Sequence, residues 1–152
     1  MKETTQVEVV IIGAGPAGCS AACILAEAGH RVLLLEREAF PRYKVGESMI
    51  PFTYFPLERL GLVEKMRASH FVKKHSVQFV MPNGQASQPF YFSTRYDSNV
   101  AQTWQVLRSE FDQMMLDHAL DLGAEVWEET QVVDLMRNSQ SEVCGVLTRD
   151  RD

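Results

Sequence analysis

Three glycines and one acid near the start of the chain have the spacing of a phosphate-binding turn. Gly13, Gly15 and Gly18 form the pattern G-x-G-x-x-G within GAGPAG. In such a turn the first glycine permits a tight bend, the second lets the backbone approach a pyrophosphate, and the third lets a helix pack closely on a strand. Glu36 follows 18 residues after Gly18, a distance that suits a carboxylate binding ribose hydroxyls. The spacing therefore indicates a dinucleotide site.

The segments around these residues predict a βαβ unit over residues 6–37. The run VEVVII before the glycines is short and β-branched, which is typical of a strand buried in a parallel sheet. Pro16 and Ala17 open a helix of small residues whose first N–H groups would bind a phosphate, and Gly29 is expected to end it. The second strand, RVLLLE, places Glu36 at its carboxyl end. The alternatives are a structural turn without phosphate and a solvated Glu36.

Composition limits the class of protein. The 152 residues are 45% hydrophobic and carry a net charge of −5, which favours a globular domain and argues against a nucleic-acid surface. The start, MKETTQ, leads into an apolar run too short for a signal peptide or a membrane span, so we expect a cytoplasmic protein. Cys19 and Cys23 lie four residues apart on the predicted helix, where small buried side chains are expected. A redox or metal pair is the alternative.

The loop after the second strand is rich in groups that could meet an anionic cofactor. Arg37, Arg42 and Lys44 supply cations, and Gly46-Glu47-Ser48 allows close approach of the backbone. The alternative is a solvated connection whose charges are incidental.

The remaining segments predict the rest of an α/β domain. Residues 51–93 are expected to form two short helices broken at Gly61 and an antiparallel hairpin that turns at Asn83-Gly84. Residues 103–129 predict a helix with Ser109 as its N-cap, followed by a third parallel strand, and residues 131–149 predict a terminal hairpin. The positions expected on the core side of these three helices are Leu57, Leu60, Val63, Met66, Phe111, Met114, Met115, His118, Ala119 and Leu122.

The predicted fold class is therefore α/β, with a parallel Rossmann-like sheet and an inserted antiparallel hairpin. We expect residues 1–152 to be the N-terminal part of a nucleotide-binding domain that needs further strands to enclose a redox ring. His118 is expected to pack within or beside the core, with a ligand role as the alternative.

Several segments together carry a resemblance to a known family: GAGPAG, Glu36-Arg37, FPRYKVGES followed by Pro51, and QVLRSEFDQMMLDHALDLGAEV. They resemble flavin-dependent halogenases of the single-domain monooxygenase fold and, more broadly, aromatic hydroxylases and geranylgeranyl reductases. GAGPAG and the Arg-x-x-Phe-Asp segment are shared across that superfamily and indicate FAD, whereas FPRYKVGES leans towards halogenases. The resemblance implies an FAD-dependent oxidoreductase that uses reduced FAD, O₂ and halide on an electron-rich small molecule. A separate flavin reductase is the implied partner.

The resemblance also implies which residues contact FAD. The glycines would approach the pyrophosphate, Glu36 the adenosine ribose and Arg37 the adenine. Arg42 and Ser48 would lie near the phosphates and the flavin end, and Arg108 would reach FAD from the start of the long helix. The complete set assigned to FAD is Gly13, Gly15, Pro16, Ala17, Gly18, Glu36, Arg37, Arg42, Ser48 and Arg108.

A lysine is the implied catalytic residue. The segment FVKKHSVQF resembles the halogenase pattern F-x-x-K-x-G-x-x-F, with Lys74 in place and Ser76 where glycine is usual. Lys74 would position the oxidised halogen beside the substrate. The alternative is that Lys73 and Lys74 are exposed charges leading into a strand. Two further halogenase motifs would fall beyond Asp152.

Three functions therefore stay open at the level of sequence. The first is a halogenase, and the second is a hydroxylase or prenyl-chain reductase with the same FAD site and no role for the lysine. The third is a nucleotide-binding module without turnover, which is also what we expect of the 152 residues taken alone.

Overall fold

The computed structural model describes residues 4–97 and 99–150. The chain divides into two compact units: a first unit of Met1–Lys44 and Ser109–Asp152, and a second unit of Val45–Arg108. In chain order the elements are β1 (Val9–Ile12), α1 (Pro16–Glu27), β2 (Val32–Leu35), α2 (Tyr54–Arg59), α3 (Val63–Ala68), β3 (Val72–Lys74), β4 (Ser76–Val77), β5 (Phe90–Tyr91), β6 (Thr103–Gln105), α4 (Arg108–Asp121), β7 (Glu125–Trp127), β8 (Thr130–Arg137) and β9 (Val143–Asp150).

A parallel sheet of order β1-β2-β7 is the centre of the first unit. Val9 of β1 pairs with Val32 of β2, and Leu33 of β2 pairs with Glu125 of β7. All four residues of β2 are buried, as its uninterrupted apolar sequence requires of a central strand. α1 contacts both β1 and β2. The predicted βαβ unit and third parallel strand are therefore confirmed.

Glycines end both long helices, and the sequence predicts this role for Gly29. Gly29 follows α1 with φ +87°, and its N–H donates to the Ala26 carbonyl at 2.9 Å. Gly123 follows α4 with φ +96°, and its N–H donates to the Leu120 carbonyl, also at 2.9 Å. A residue with positive φ leads the chain away from the helix axis, and glycine adopts it without a Cβ clash. Each helix is thereby followed directly by the next parallel strand.

The start and the buried face of α4 differ from the expectation. Ser109 lies inside the first turn because the helix begins at Arg108, so the predicted N-cap is wrong. Met114 and His118 are half-buried and Leu122 is exposed. The boundary position expected for His118 is confirmed. The side chains that are buried on this helix are Phe111, Asp112, Met115, Leu116 and Ala119.

Short antiparallel pairs build the second unit. β3 pairs with β6, and β4 pairs with β5. The β4–β5 hairpin turns at the predicted Asn83-Gly84, where Gly84 has φ +83°. Gly61, with φ +70°, separates α2 from α3 as predicted. The predicted core positions of these two helices are buried: Leu57, Leu60, Val63 and Met66.

The β8–β9 hairpin completes the first unit, and its turn contains Asn138 and Ser141. Within the described residues, no helix is both long enough and apolar enough to cross a membrane. The cytoplasmic location stays a prediction from the sequence.

Candidate functional site

The glycine turn of the first unit lies at the junction between β1 and α1. The Gly13 N–H donates to the Leu35 carbonyl at 2.7 Å, which ties the turn to the end of β2. A Cβ placed on Gly18 would lie 1.9 Å from the Gly13 carbonyl oxygen, so only glycine allows the helix to start this close to the strand. A Cβ on Gly15 would meet only the Arg42 Nη2, at 3.8 Å. Packing therefore requires glycine at position 18, whereas a Cβ at position 15 would not clash with the protein.

The opening of α1 has donors suited to an anion. The N-cap is Gly15, which has no side chain that could cap the helix, and the first turn contains no acid. The first N–H groups of any α-helix have no acceptor within the helix. Pro16 has no N–H, so the donors in question are those of Ala17 and Gly18. This end of the helix also carries the positive end of the helix dipole, which favours a phosphate.

Glu36 lies beside this turn with its carboxylate held in place. The side chain is buried, and its Oε2 accepts the Ala14 N–H at 2.9 Å. Its Oε1 accepts the Glu38 N–H at 3.1 Å. A carboxylate oxygen accepts about two hydrogen bonds, so Oε1 keeps acceptor capacity beyond the donor that the described residues supply. The acid and the glycine turn, far apart in sequence, form one site.

Arg42 extends this site into the core of the first unit. Its Nη2 lies 3.4 Å from Glu36 Oε2, and its Nη1 donates to Asp112 Oδ2 at 2.6 Å. The Phe40 ring lies 4.3 Å from the centre of the guanidinium. Burial opposes the charge on Arg42, but the hydrogen bond to Asp112 and the charges of Glu36 and Asp112 outweigh it and raise the pKa of the guanidinium.

Asp112 is the site residue that sequence reasoning missed. It is fully buried on α4, one helical turn after Arg108. Its sequence signal is the Arg-x-x-Phe-Asp segment, which indicates a flavoprotein but gives Asp112 no role of its own. The structure therefore adds a second carboxylate to the residues around Glu36.

A separate group of predicted residues meets in the second unit. The Lys74 ammonium donates to the Ser48 hydroxyl and, at 2.9 Å, to the Met49 carbonyl. Lys74 is half-buried whereas Lys73 is exposed, and desolvation lowers the pKa of Lys74 below its ordinary value. Lys73 therefore fits the alternative interpretation of an exposed charge, whereas Lys74 is partly covered and hydrogen-bonded.

Backbone pairing fixes the loop that carries Ser48. The Met49 N–H donates to the Trp104 carbonyl at 3.0 Å, and the Val106 N–H donates to the Glu47 carbonyl at 2.8 Å. The loop thus forms an antiparallel β-bridge with β6, in which Ser48 lies opposite Gln105. Because β6 also pairs with β3, the loop and Lys74 are held by the same sheet.

Arg108 holds the start of this loop. Its Nη1 donates to the Val45 carbonyl at 2.8 Å, and a Cβ on Gly46 would lie 2.8 Å from the same nitrogen. Glycine is favoured at position 46 by its φ of +114°, and it leaves room for the end of the Arg108 side chain. Arg37, at the end of β2, is exposed.

Two of the three cysteines lie in the core. Cys19 and Cys23 are buried, and burial raises the pKa of the Cys19 thiol to about 12. Among the described residues there is no group of side chains that could hold a metal ion. We expect iodoacetamide at pH 8 to label Cys144, which is exposed, and to spare Cys19 and Cys23 until urea is added. Intact mass would show one adduct before unfolding and three after it, whereas three adducts on the folded protein would contradict this assignment.

The sheet, the glycine turn and the strand-end acid together define a dinucleotide-binding α/β domain. The family model described as tryptophan halogenase matches residues 8–146, and the chain belongs to that family. It is 39% identical over 125 residues to the flavin-dependent halogenase armH3 of Armillaria mellea. The matched region covers 82% of this chain and 24% of armH3.

Solved halogenase structures resemble most of the chain. The myxobacterial chondrochloren halogenase CndH superposes with a TM-score of 0.86 at 35% identity, covering 95% of this chain and 33% of CndH. The flavin-dependent halogenase CmlS gives a TM-score of 0.77 at 45% identity, covering 88% of this chain and 24% of CmlS. The chain spans about a quarter of the length of curated relatives such as armH3 and armH2, at 24% and 25%.

Proposed function

We propose that this chain is the FAD-binding portion of a flavin-dependent halogenase. The observation that carries the proposal is the buried Glu36 carboxylate at the glycine turn, in a chain that belongs to the tryptophan halogenase family. FAD suits this site because its ADP half brings a pyrophosphate and a ribose diol to a helix N-terminus and an adjacent acid.

The first unit would hold the ADP half of FAD. The N–H groups of Ala17 and Gly18 would donate to the pyrophosphate, and the missing side chain of Gly15 leaves room for it to approach. The free acceptor capacity of Glu36 Oε1 would be used by a ribose hydroxyl. Arg37, exposed at the end of the same strand, would lie beside the adenine.

The second unit would supply the residues for halogen transfer. When bound, reduced FAD would supply two of the four electrons that O₂ accepts, and the chloride or bromide that is oxidised would supply the other two. The Lys74 ammonium would hold the oxidised halogen by hydrogen bonding, while Ser48 and the Met49 carbonyl hold the ammonium. Arg108 would keep the Ser48 loop in place through its hydrogen bond to Val45. A separate flavin reductase would provide reduced FAD, and the substrate would be an electron-rich small molecule.

Hydroxylases and prenyl-chain reductases share the FAD site but need no halide, so dependence on bromide separates a halogenase from both. A full-length protein that carries this segment is incubated with reduced FAD, O₂ and an electron-rich aromatic probe, with and without bromide. We expect a monobrominated product that forms only with bromide, detected by its paired bromine isotope masses. A hydroxylated probe whose yield does not depend on bromide would overturn the halogenase proposal and leave the FAD site intact.

A further inference from the structure

We infer that Arg42 is a positioning residue for the nucleotide, which acts through Glu36 and not by contacting phosphate. The inference rests on the proposed FAD site and changes the role of one of its residues. From sequence, Arg42 was expected to lie along the cofactor near its phosphates. In the structure its guanidinium is turned inward, and only 8% of the residue is exposed.

The donors of Arg42 are directed at protein carboxylates. Nη1 donates to Asp112 at 2.6 Å, and Nη2 lies 3.4 Å from Glu36. Nε lies 3.8 Å from Glu38 and has no hydrogen-bond partner in the described part of the chain. The Phe40 ring covers a face of the group at 4.3 Å. A Cβ on Gly15 would lie 3.8 Å from Nη2, but this nitrogen faces Glu36. With 8% of the residue exposed, the guanidinium offers little to a phosphate at the surface.

The charges explain why the arginine is needed at this place. Asp112 has no exposed side-chain surface and Glu36 is 7% exposed, so two carboxylates lie in a region of low dielectric. Arg42 is a cation placed against both. Removal of one partner from such a buried group leaves uncompensated charge, which drives the remaining acid to take up a proton or to move towards water.

Glu36 is the member of this group that would act on the nucleotide. Its Oε2 is occupied by the Ala14 N–H and by Arg42 Nη2, which leaves Oε1 as the oxygen with spare acceptor capacity. Without Arg42, each oxygen of the carboxylate keeps one backbone donor, Ala14 N–H for Oε2 and Glu38 N–H for Oε1, so either oxygen has room to accept a ribose hydroxyl. Arg42 therefore determines which oxygen of Glu36 is presented to a ribose hydroxyl.

The test separates ribose contacts from phosphate contacts. ADP and 2′,3′-dideoxy-ADP have the same phosphates, and calorimetry gives the affinity of each for the 152-residue chain. Arg42→Met is expected to weaken ADP binding about tenfold, the effect of losing a hydrogen bond to a charged group, and to change dideoxy-ADP binding less than twofold. An equal loss for both ligands would mean that Arg42 contacts phosphate or only supports folding, and would overturn the inference.

A second variant separates positioning from folding. Arg42→Met combined with Asp112→Leu removes the buried acid together with its cation, so most of the thermal stability lost in Arg42→Met should return. ADP binding should stay weak, because Glu36 still lacks its second donor. Recovery of ADP affinity in the double variant would reduce Arg42 to a structural role. Arg149→Met, at an exposed arginine of β9, is the matched control and should leave both affinities unchanged.

The unmodified chain separates failure of the inference from failure of the proposed function. If it binds ADP and dideoxy-ADP equally well, Glu36 does not contact the ribose, and the inference is wrong while the phosphate site stands. If it binds neither ligand, the proposed nucleotide site is wrong and the inference fails with it.

Discussion

Gly18→Ala is expected to abolish ADP binding and to lower the free energy of unfolding by about 3 kcal/mol or more, the upper range for overpacking a tight site. The added methyl carbon would lie 1.9 Å from the Gly13 carbonyl oxygen, which belongs to the backbone and cannot rotate away. This clash can be relieved only if α1 moves away from β1, and that movement would separate the glycine turn from Glu36. Urea unfolding followed by circular dichroism measures the stability, and calorimetry with ADP measures the site.

Gly15→Ala is the matched control because it adds the same methyl group three residues away. The nearest atom to that methyl would be Arg42 Nη2 at 3.8 Å, and Gly15 has an ordinary φ of −78°. The free energy of unfolding should fall by no more than about 1 kcal/mol, the cost of alanine at an N-cap. ADP affinity should still drop, because the methyl occupies the space that a pyrophosphate needs. Normal stability of Gly18→Ala would contradict the requirement for glycine at the contact with Gly13. Normal ADP binding by Gly15→Ala would contradict the approach of a pyrophosphate to Gly15.

The βαβ unit could be predicted because its information is local. Strand length, glycine spacing, a helix of small residues and a terminal acid all fall within residues 6–37, and each constrains the same geometry. The contact between Ala14 and Glu36 follows from that topology, since parallel strands bring their carboxyl ends to one edge of the sheet.

Asp112 could not be predicted because its burial depends on a distant partner. An acid on a helix is normally assigned to the solvent face, and the expected apolar stripe of α4 accordingly ran through Met114 and Leu122. The cation that makes burial of Asp112 tolerable is Arg42, 70 residues earlier in the chain. The direction of Arg42 depends on the same pairing: the sequence shows a cation in a polar loop, but not that its guanidinium faces Asp112 and Glu36.

The second unit was only partly predictable for a similar reason. Its hairpin and short helices have local signals in Asn83-Gly84 and Gly61, whereas the pairing of β3 with β6 joins segments about thirty residues apart. Nothing in the short run around Lys74 indicates which face of the strand it occupies. The pairing of β6 with both β3 and the Ser48 loop brings Lys74 to the hydroxyl of Ser48 and leaves Lys73 exposed.

Lys74→Met is expected to reduce halogenation by a full-length protein that carries this segment about 100-fold or more, the usual effect of losing a charged donor at a reacting group. Methionine keeps much of the length of the side chain and removes only the ammonium, so FAD affinity should change less than twofold. Lys73→Met, on the exposed neighbour in β3, makes the same chemical change and should retain full activity. Unchanged turnover in Lys74→Met would exclude the lysine from the mechanism, and equal losses in both variants would indicate a general effect of charge.

The pH dependence distinguishes a hydrogen-bonding ammonium from a lysine that acts as a neutral amine. Desolvation lowers the pKa of Lys74 from the ordinary value of 10.5, so the ammonium loses its proton at a lower pH than a solvated lysine does. If the charged form holds the oxidised halogen, kcat should fall on the alkaline side at a pH below 10.5, and Lys74→Arg, which stays protonated, should remove that fall. A reaction that needed the neutral amine would instead rise over the same range, because deprotonation would then create the active form.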